Sequence, residues 1–432
     1  MKIVFIGVGT CGDVHPLIAL AVGLSKKGHD IRFVSNTRFE QLIRSHNLDF
    51  VPVDMDFNSF MESDEAKSYF NARNQPLKAI TGIIPLVKSF KPHARQMLEQ
   101  CVDACEDAEA LVSITIVPGF HIAEKKGIPF FNYLPFPMHP TRDFSHPLIA
   151  SDKNLGGTFN KLSGYFFNHI FWLCLKRFVN DWRKTLILPQ IRFPIQYMDK
   201  LQTPFLYSFS PTIIPKPKEW EDWQHIIGYM FLEPATSWEP PRYLTEFLDN
   251  GPPPLFVGFG SSRLDDKDKM IDIIIPALEK TKQRVIISMG TNVCSDIILP
   301  DTMLPIDFVP FHWLFPKTCG IICHGGAGTS SWALKAGKPC LSLPVHSDQL
   351  FWASRLSVLG VCPKHIHYNN LTPDNFQQAL DELLHDTSMH ARCSAFSAII
   401  EKEDGVANAI AIIERYIGNY QKPFAQHDVC AQ

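Results

Sequence analysis

A histidine set between an apolar run and a string of glycines is the part of this chain best suited to chemistry. Ile321-Ile322-Cys323-His324-Gly325-Gly326-Ala327-Gly328-Thr329-Ser330-Ser331 reads as a strand, a sharp bend and the first turn of a helix. Glycine lets the backbone bend and come close to a ligand, because no Cβ stands in the way. The helix start behind it offers unpaired N–H groups and the positive end of the helix dipole, which together favour a phosphate. His324, Thr329 and Ser330 add side chains able to hydrogen-bond the same ligand. The pattern fits a phosphate or diphosphate.

A second glycine run, Gly7-Val8-Gly9-Thr10-Cys11-Gly12, follows the strand-like Ile3-Val4-Phe5-Ile6 and precedes a helix, as a dinucleotide fingerprint does. The next strand ends in Val34-Ser35-Asn36, with no acid for a ribose hydroxyl, and Asp13 would place a carboxylate beside a bound pyrophosphate. A nicotinamide or flavin dinucleotide is therefore not expected. Asp13 keeps two roles open. It is either a helix N-cap ahead of Pro16, or a base at a strand tip that takes the proton of a hydroxyl nucleophile. His15 is the neighbouring alternative base, or packs at the helix start.

Weaker signals surround these two. Asp54-Met55-Asp56 has the D-x-D spacing with which some enzymes hold a divalent metal, but one such pair ending a strand reads as a loop. Asp265, Asp266 and Asp268 read as the acidic opening of a helix. Ser261, after Gly258-Phe259-Gly260, puts a hydroxyl at a strand's carboxyl end, where α/β sheets bind ligands, unless it only turns the chain. Asp348-Gln349 sets an acceptor beside a donor, as vicinal hydroxyls on a ligand require, unless Asp348 merely caps a helix.

The elements that must carry these residues alternate. Strands at 2–6, 31–34 and 50–53 are spaced by helices near 15–27 and 38–46, a βαβαβ rhythm that argues for a parallel, doubly wound sheet. Further strands are expected at 110–114 and 128–133. A second series begins after the Pro-rich stretch 211–217. It has strands at 255–260, 284–288, 319–323 and 340–343, helices at 265–281 and 327–336, and a terminal helix near 406–417. At 432 residues, two α/β domains are expected, with boundaries at 1–215 and 216–405 and a helix and tail at 406–432. The aromatic segment from Phe159 to Arg183 reads as core or as the wall of an apolar pocket. Its Lys161, Lys176, Arg177 and Arg183 keep weak peripheral membrane contact open.

Composition narrows the class. A hydrophobic share of 45% with 20% charged residues is that of a globular protein, and a net charge of -3 gives no reason to expect nucleic acid. No apolar run reaches the roughly 20 residues of a bilayer span, and the first residues read as a strand rather than a leader. The eleven cysteines include no Cys-x-x-Cys pair and are read as buried free thiols in a reducing cytoplasm. No metal is expected, since no Cys or His stand at paired ligand spacings.

Taken together, these residues resemble a known family. Asp307-Phe308-Val309-Pro310-Phe311-His312-Trp313-Leu314-Phe315-Pro316, the HGGAGT run at 324–329 and Ser347-Asp348-Gln349 resemble the nucleotide-sugar site of family 1 glycosyltransferases. Gly12-Asp13-Val14-His15-Pro16 resembles the N-terminal motif of the sterol 3β-glucosyltransferase-like subgroup and its bacterial natural-product relatives. Trp182-Arg183 ahead of Leu188-Pro189, and the run Phe256 to Ser261, match more loosely.

The resemblance implies a GT-B fold: two Rossmann-like, doubly wound parallel-sheet domains facing a central cleft, with the last helix returning to the first domain. It implies that His324, Gly326, Ala327, Gly328 and Thr329 hold a diphosphate with Ser261 assisting. Phe308, Val309 and Phe311 would lie near the base, Asp348 and Gln349 would read the sugar, and Asp13 would be the general base. The expected activity is inverting transfer of a hexose, glucose foremost, from a UDP- or dTDP-sugar to a hydroxyl of a lipophilic acceptor (sterol, terpenoid, polyketide or lipid), with no cofactor. The aromatic runs at 130–140 and 159–182 would line the acceptor site. Plant members with a longer C-terminal signature and a histidine base differ from this chain. A GT-B epimerase or hydrolase, or a non-catalytic sugar-nucleotide sensor, are the competing functions.

Overall fold

The computed structural model describes residues 1–53, 64, 85, 94–114, 117–149, 156–234, 238–259, 269–288, 299–307, 309–345 and 347–420. The D-x-D at 54–56, the acids at 265–268, Ser261 and Phe308 lie outside the described residues. The chain divides into two compact units. The first comprises Met1–His146, Leu155–Ala235 and Asp404–Gln432, and the second Pro147–Asn154 and Thr236–Glu403.

The first unit is built on a seven-stranded sheet in the order β3-β2-β1-β4-β5-β6-β7, every neighbouring pair parallel. The strands are β1 (Lys2–Ile6), β2 (Asp30–Ser35), β3 (Asp49–Pro52), β4 (Ala110–Ser113), β5 (Phe130–Leu134), β6 (Phe205–Tyr207) and β7 (Gln224–Ile226). Because β7 pairs with β6, the first unit continues to Ala235 rather than ending at 215 as its sequence suggested. The second unit carries a five-stranded parallel sheet, β10-β9-β8-β11-β12, from β8 (Leu255–Gly258), β9 (Val285–Ser288), β10 (Met303–Ile306), β11 (Gly320–Cys323) and β12 (Cys340–Ser342). Parallel strands are covered on both faces, so they are written as unbroken apolar runs. Ile3-Val4-Phe5-Ile6 and Gly320-Ile321-Ile322-Cys323 are fully buried.

In each sheet the strand order reverses once, between β1 and β4 in the first and between β8 and β11 in the second. Ligands of open α/β sheets bind outside the carboxyl ends of the strands at such a switch point. β1 leads there to Gly7 and Asp13, and β11 leads there to His324.

Six helices carry the remaining argument: α1 (Cys11–Lys26), α2 (Gly119–Lys126), α3 (Gly157–Thr185), α4 (Ala327–Lys335), α5 (Ser347–Val358) and α6 (Gly405–Gly418). α6 opens on Asp404, whose carboxylate accepts the Ala407 N–H at 2.8 Å, and packs Ala409, Ile410 and Ile413 into the core that holds Leu17, Leu20, Ala21 and Leu24 of α1. The fit is close. A Cβ on Gly23 would sit 2.7 Å from Val406 Cγ1, and one on Gly405 would sit 2.4 Å from the Tyr229 carbonyl. α6 therefore braces the helix that bears Asp13.

α3 is core only in part, with Trp172, Val179 and Trp182 buried. Phe159, Leu162, Tyr165, Phe166, Phe171 and Leu173 are exposed, Leu162 at 59% and Phe166 at 51%. Its C-terminal end is tied down instead by a buried ion pair. Arg183 Nη1 donates to Glu124 Oε2 of α2 at 2.5 Å and to His121 Nδ1 at 2.8 Å, and Arg183 Nε donates to the Pro189 carbonyl at 2.7 Å. The tight contact of Trp182-Arg183 with the turn at Leu188-Pro189 is thus structural. Within the run 130–140, all five residues of β5 are buried in the sheet. No helix among the described residues is long and apolar enough to cross a membrane.

Candidate active site

The turn after β11 is shaped by its glycines. Gly325 adopts φ +78°, the left-handed region, and a Cβ there would lie 3.2 Å from Ser342 Cβ and 3.3 Å from the Gln349 carbonyl. Gly326 is the N-cap of α4, and a Cβ on it would lie 2.4 Å from His324 Nε2, so the imidazole folds over the bare Cα. The first α-helical bond runs from Ser330 N–H to the Gly326 carbonyl at 3.0 Å. Among the described residues no acceptor takes the amides of Ala327, Gly328 and Thr329. Three open N–H groups and a helix dipole therefore converge beside His324, an anion-binding arrangement. His324 Nδ1 is buried without a partner, and burial pushes its pKa down to about 4, so the ring is neutral and can donate one N–H.

Two more predicted elements reach the same carboxyl edge. The Gln349 carbonyl is the atom that a Cβ on Gly325 would meet, which sets the start of α5 against the His324 turn. Asp348 sits in the first turn of α5, half-buried. Gln349 Oε1 accepts the Val345 N–H at 2.9 Å. Val309 and Phe311 follow β10. Val309 is buried, and Phe311 stacks on Phe315 at 4.3 Å and meets Phe256 of β8 edge-on at 5.7 Å. Both thus belong to the packing of one sheet face, with Phe311 half-buried.

Asp13 and His15 lie in the first unit. α1 begins at Cys11 rather than near His15, so Asp13 is its third residue and not its N-cap. Thr10 takes that position, and its N–H and hydroxyl donate to Asp13 Oδ2 at 2.7 and 2.8 Å. The Thr-x-x-Asp spacing of a capping box was present in the sequence and explains the helix start. Gly9 is required by the same contact, since a Cβ there would lie 2.6 Å from Asp13 Oδ2. Gly7 in turn leaves room for the ring of Phe33 at 3.0 Å. The glycine run serves the Asp13 turn and strand packing.

Burial raises the Asp13 pKa above the usual carboxylate range, opposed by the two Thr10 donors and the charge of Arg38. Oδ1 takes no hydrogen bond from the described residues. His15 packs edge-on against Phe39 at 6.2 Å, and burial, then Arg38 and His46, lower its pKa to about 4. Two neighbours escaped sequence reasoning. Arg38 donates to the Gly9 carbonyl, and Tyr133 of β5 lies within electrostatic reach of Asp13, which together with its burial raises the phenol pKa. Neither stands at a spacing that marks it.

Residues 3–144 match the glycosyltransferase family 28 N-terminal domain, and residues 273–403 match the erythromycin biosynthesis protein CIII-like C-terminal domain. The crystal structure of the glycosyltransferase VinC in complex with dTDP aligns with a TM-score of 0.67 at 18% identity, over 97% of this chain and 100% of that one. The chain has the GT-B fold of such glycosyltransferases. A sterol 3-beta-glucosyltransferase of Emericella nidulans is 33% identical over 431 residues, covering 96% of this chain and 30% of the relative. A sterol 3-beta-glucosyltransferase of Arabidopsis thaliana is 31% identical over 434 residues, covering 96% of this GT-B chain and 66% of the plant protein. The chain thus spans between about a third and two thirds of the length of these curated relatives.

Proposed function

We propose that the chain transfers a hexose, glucose foremost, from a UDP- or dTDP-sugar to a hydroxyl of a lipophilic alcohol, with a sterol the first acceptor to test and with inversion at the anomeric carbon. The observation that carries this reading is the open helix start at Ala327–Thr329 beside the neutral, unpartnered His324. It offers neutral donors where a departing diphosphate gathers negative charge, and such preorganised donors act most strongly when the charge develops. The sterol 3-beta-glucosyltransferase relatives support the acceptor class.

In this reading Asp13 accepts the acceptor's hydroxyl proton on Oδ1 while the new bond forms from that oxygen to the anomeric carbon. The bond from the anomeric carbon to the diphosphate breaks, and α4 and His324 take up the leaving charge without a metal. A carboxylate whose pKa is raised by burial is better matched to that task than an ordinary one. His15 keeps Phe39 and the Asp13 turn in place. Asp348 and Gln349 hold the sugar hydroxyls, the Phe311 edge lies by the base, and Ser261 and Phe308 complete the nucleotide contacts. The exposed apolar face of α3 meets the lipid surface from which such acceptors are drawn, as a peripheral and reversible contact, with the protein in the cytoplasm.

The test is product analysis after incubating the chain with UDP-glucose or dTDP-glucose and a set of sterols. The expected product is a sterol heavier by one hexosyl group, with the anomeric configuration opposite to that of the donor. Consumption of nucleotide sugar at equal rate with and without sterol would assign the site to hydrolysis instead.

A further inference from the structure

The strand that enters the His324 turn ends in a thiol that diphosphate binding does not by itself explain. Cys323 is fully buried, and its Sγ accepts the Gly325 N–H at 3.3 Å. Cys340, on the neighbouring strand, places its own Sγ 3.3 Å away. Gly325, in the left-handed region, is itself buried, and its amide meets a sulfur that packs in one apolar cluster with Phe256, Phe315, Ile321 and Ala333. A buried N–H without an acceptor is costly, and apolar neighbours offer none. Ser330, in the first turns of α4, also lies beside the Cys323 thiol. The sulfur is therefore a meeting point of strand end, bend and helix start.

We propose that Cys323 is a positioning residue for the diphosphate turn. Its sulfur accepts the Gly325 amide, so that His324 and the open amides of Ala327, Gly328 and Thr329 keep one arrangement. Cys340 supports this by hydrogen bonding to the same sulfur, which draws the Cys323 pKa below its ordinary thiol value, while that bond and burial raise the Cys340 pKa. The inference rests on the turn being the diphosphate site.

Packing and positioning make opposite rankings of substitutions. Serine keeps an acceptor in the same place but is less apolar, whereas valine fills the space and accepts nothing. Calorimetric titration of UDP and dTDP into the whole chain reads the difference. Relative to wild type, Cys323→Ala and Cys323→Val are expected to raise the Kd about three- to tenfold, on the scale of one lost neutral hydrogen bond, and Cys323→Ser to stay within about twofold. Wild-type affinity in Cys323→Val, or a weaker Cys323→Ser than Cys323→Val, would overturn the positioning role. Should the alanine variant not fold, the serine and valine pair still decides. A wild-type chain that binds neither nucleotide would remove the diphosphate reading itself, whereas wild-type binding with all three variants unaltered removes only this inference.

Discussion

Asp13 divides its carboxylate between two tasks. Oδ2 is committed to the Thr10 N–H and hydroxyl, which fixes the side chain at the start of α1, and Oδ1 remains to accept a proton. Asparagine can keep the first task, through its carbonyl oxygen, and loses the second. Asp13→Asn is therefore expected to lower transfer by at least ~10²-fold while UDP affinity stays unchanged. Turnover near the wild-type rate, read by product formation, would remove the base assignment. At the other switch point, Gly326→Ala would push a Cβ to 2.4 Å from His324 Nε2. UDP affinity should fall on the order of tenfold as the imidazole is displaced, the worth of one or two hydrogen bonds. Unaltered binding by calorimetry would show that the ring does not need its place over Gly326.

α3 shows what an element needs beyond its own periodicity. Its aromatic residues were legible as a group, but which of them are covered depends on neighbours that sequence periodicity does not name. Its fixed end rests on Arg183 and Glu124, both almost fully buried. Removing one partner leaves the other charge stranded, so Arg183→Met should cost about 3–5 kcal/mol in denaturant unfolding. A second change, Glu124→Leu, should recover much of that loss, and a single-variant cost below about 1 kcal/mol would contradict the role. Strands such as β1 and β11 were legible because burial on both faces demands unbroken apolar residues. β7 and β10 were not, since they contain Gln224-His225 and Pro305, which carry no strand signal. The start of α1 lies earlier than Asp13 suggests, because Asp ahead of Pro16 is itself a helix-start signal and competes with Thr10.

Across the molecule, the two doubly wound sheets and the residues at their switch points were readable, because Gly-rich bends and apolar strands are local signals. The Gly325–Cys323 contact, the Arg38 and Tyr133 neighbours of Asp13 and the true extent of the first unit were not. The first depends on the left-handed bend at Gly325, and the others on residues brought together from distant parts of the sequence. A shared consequence of burial is acid sensitivity. His15, His225 and His324 have folded pKa values lowered to about 4, and His146 to about 3, mainly by burial. The unfolded chain therefore binds more protons below its ordinary histidine pKa near 6.5. Stability should be complete above that value and should fall steadily as the pH drops towards about 4. A denaturation midpoint equal at about pH 7.5 and about pH 5 would contradict this. The exposed face of α3 adds a prediction for the chain as a whole. Leu162→Glu with Phe166→Glu should abolish sedimentation with sterol-containing vesicles and leave UDP affinity intact, and sedimentation equal to wild type would assign that face another role.

The proposed transfer depends first on a nucleoside diphosphate held jointly by the open start of α4 and His324. Calorimetric titration of UDP and dTDP into the wild-type chain and into His324→Ala tests it most directly. Saturable one-to-one binding of at least one of the two by the wild type is expected, weakened about tenfold or more in the variant. Equal affinity in the two proteins, or no binding by either, would contradict it.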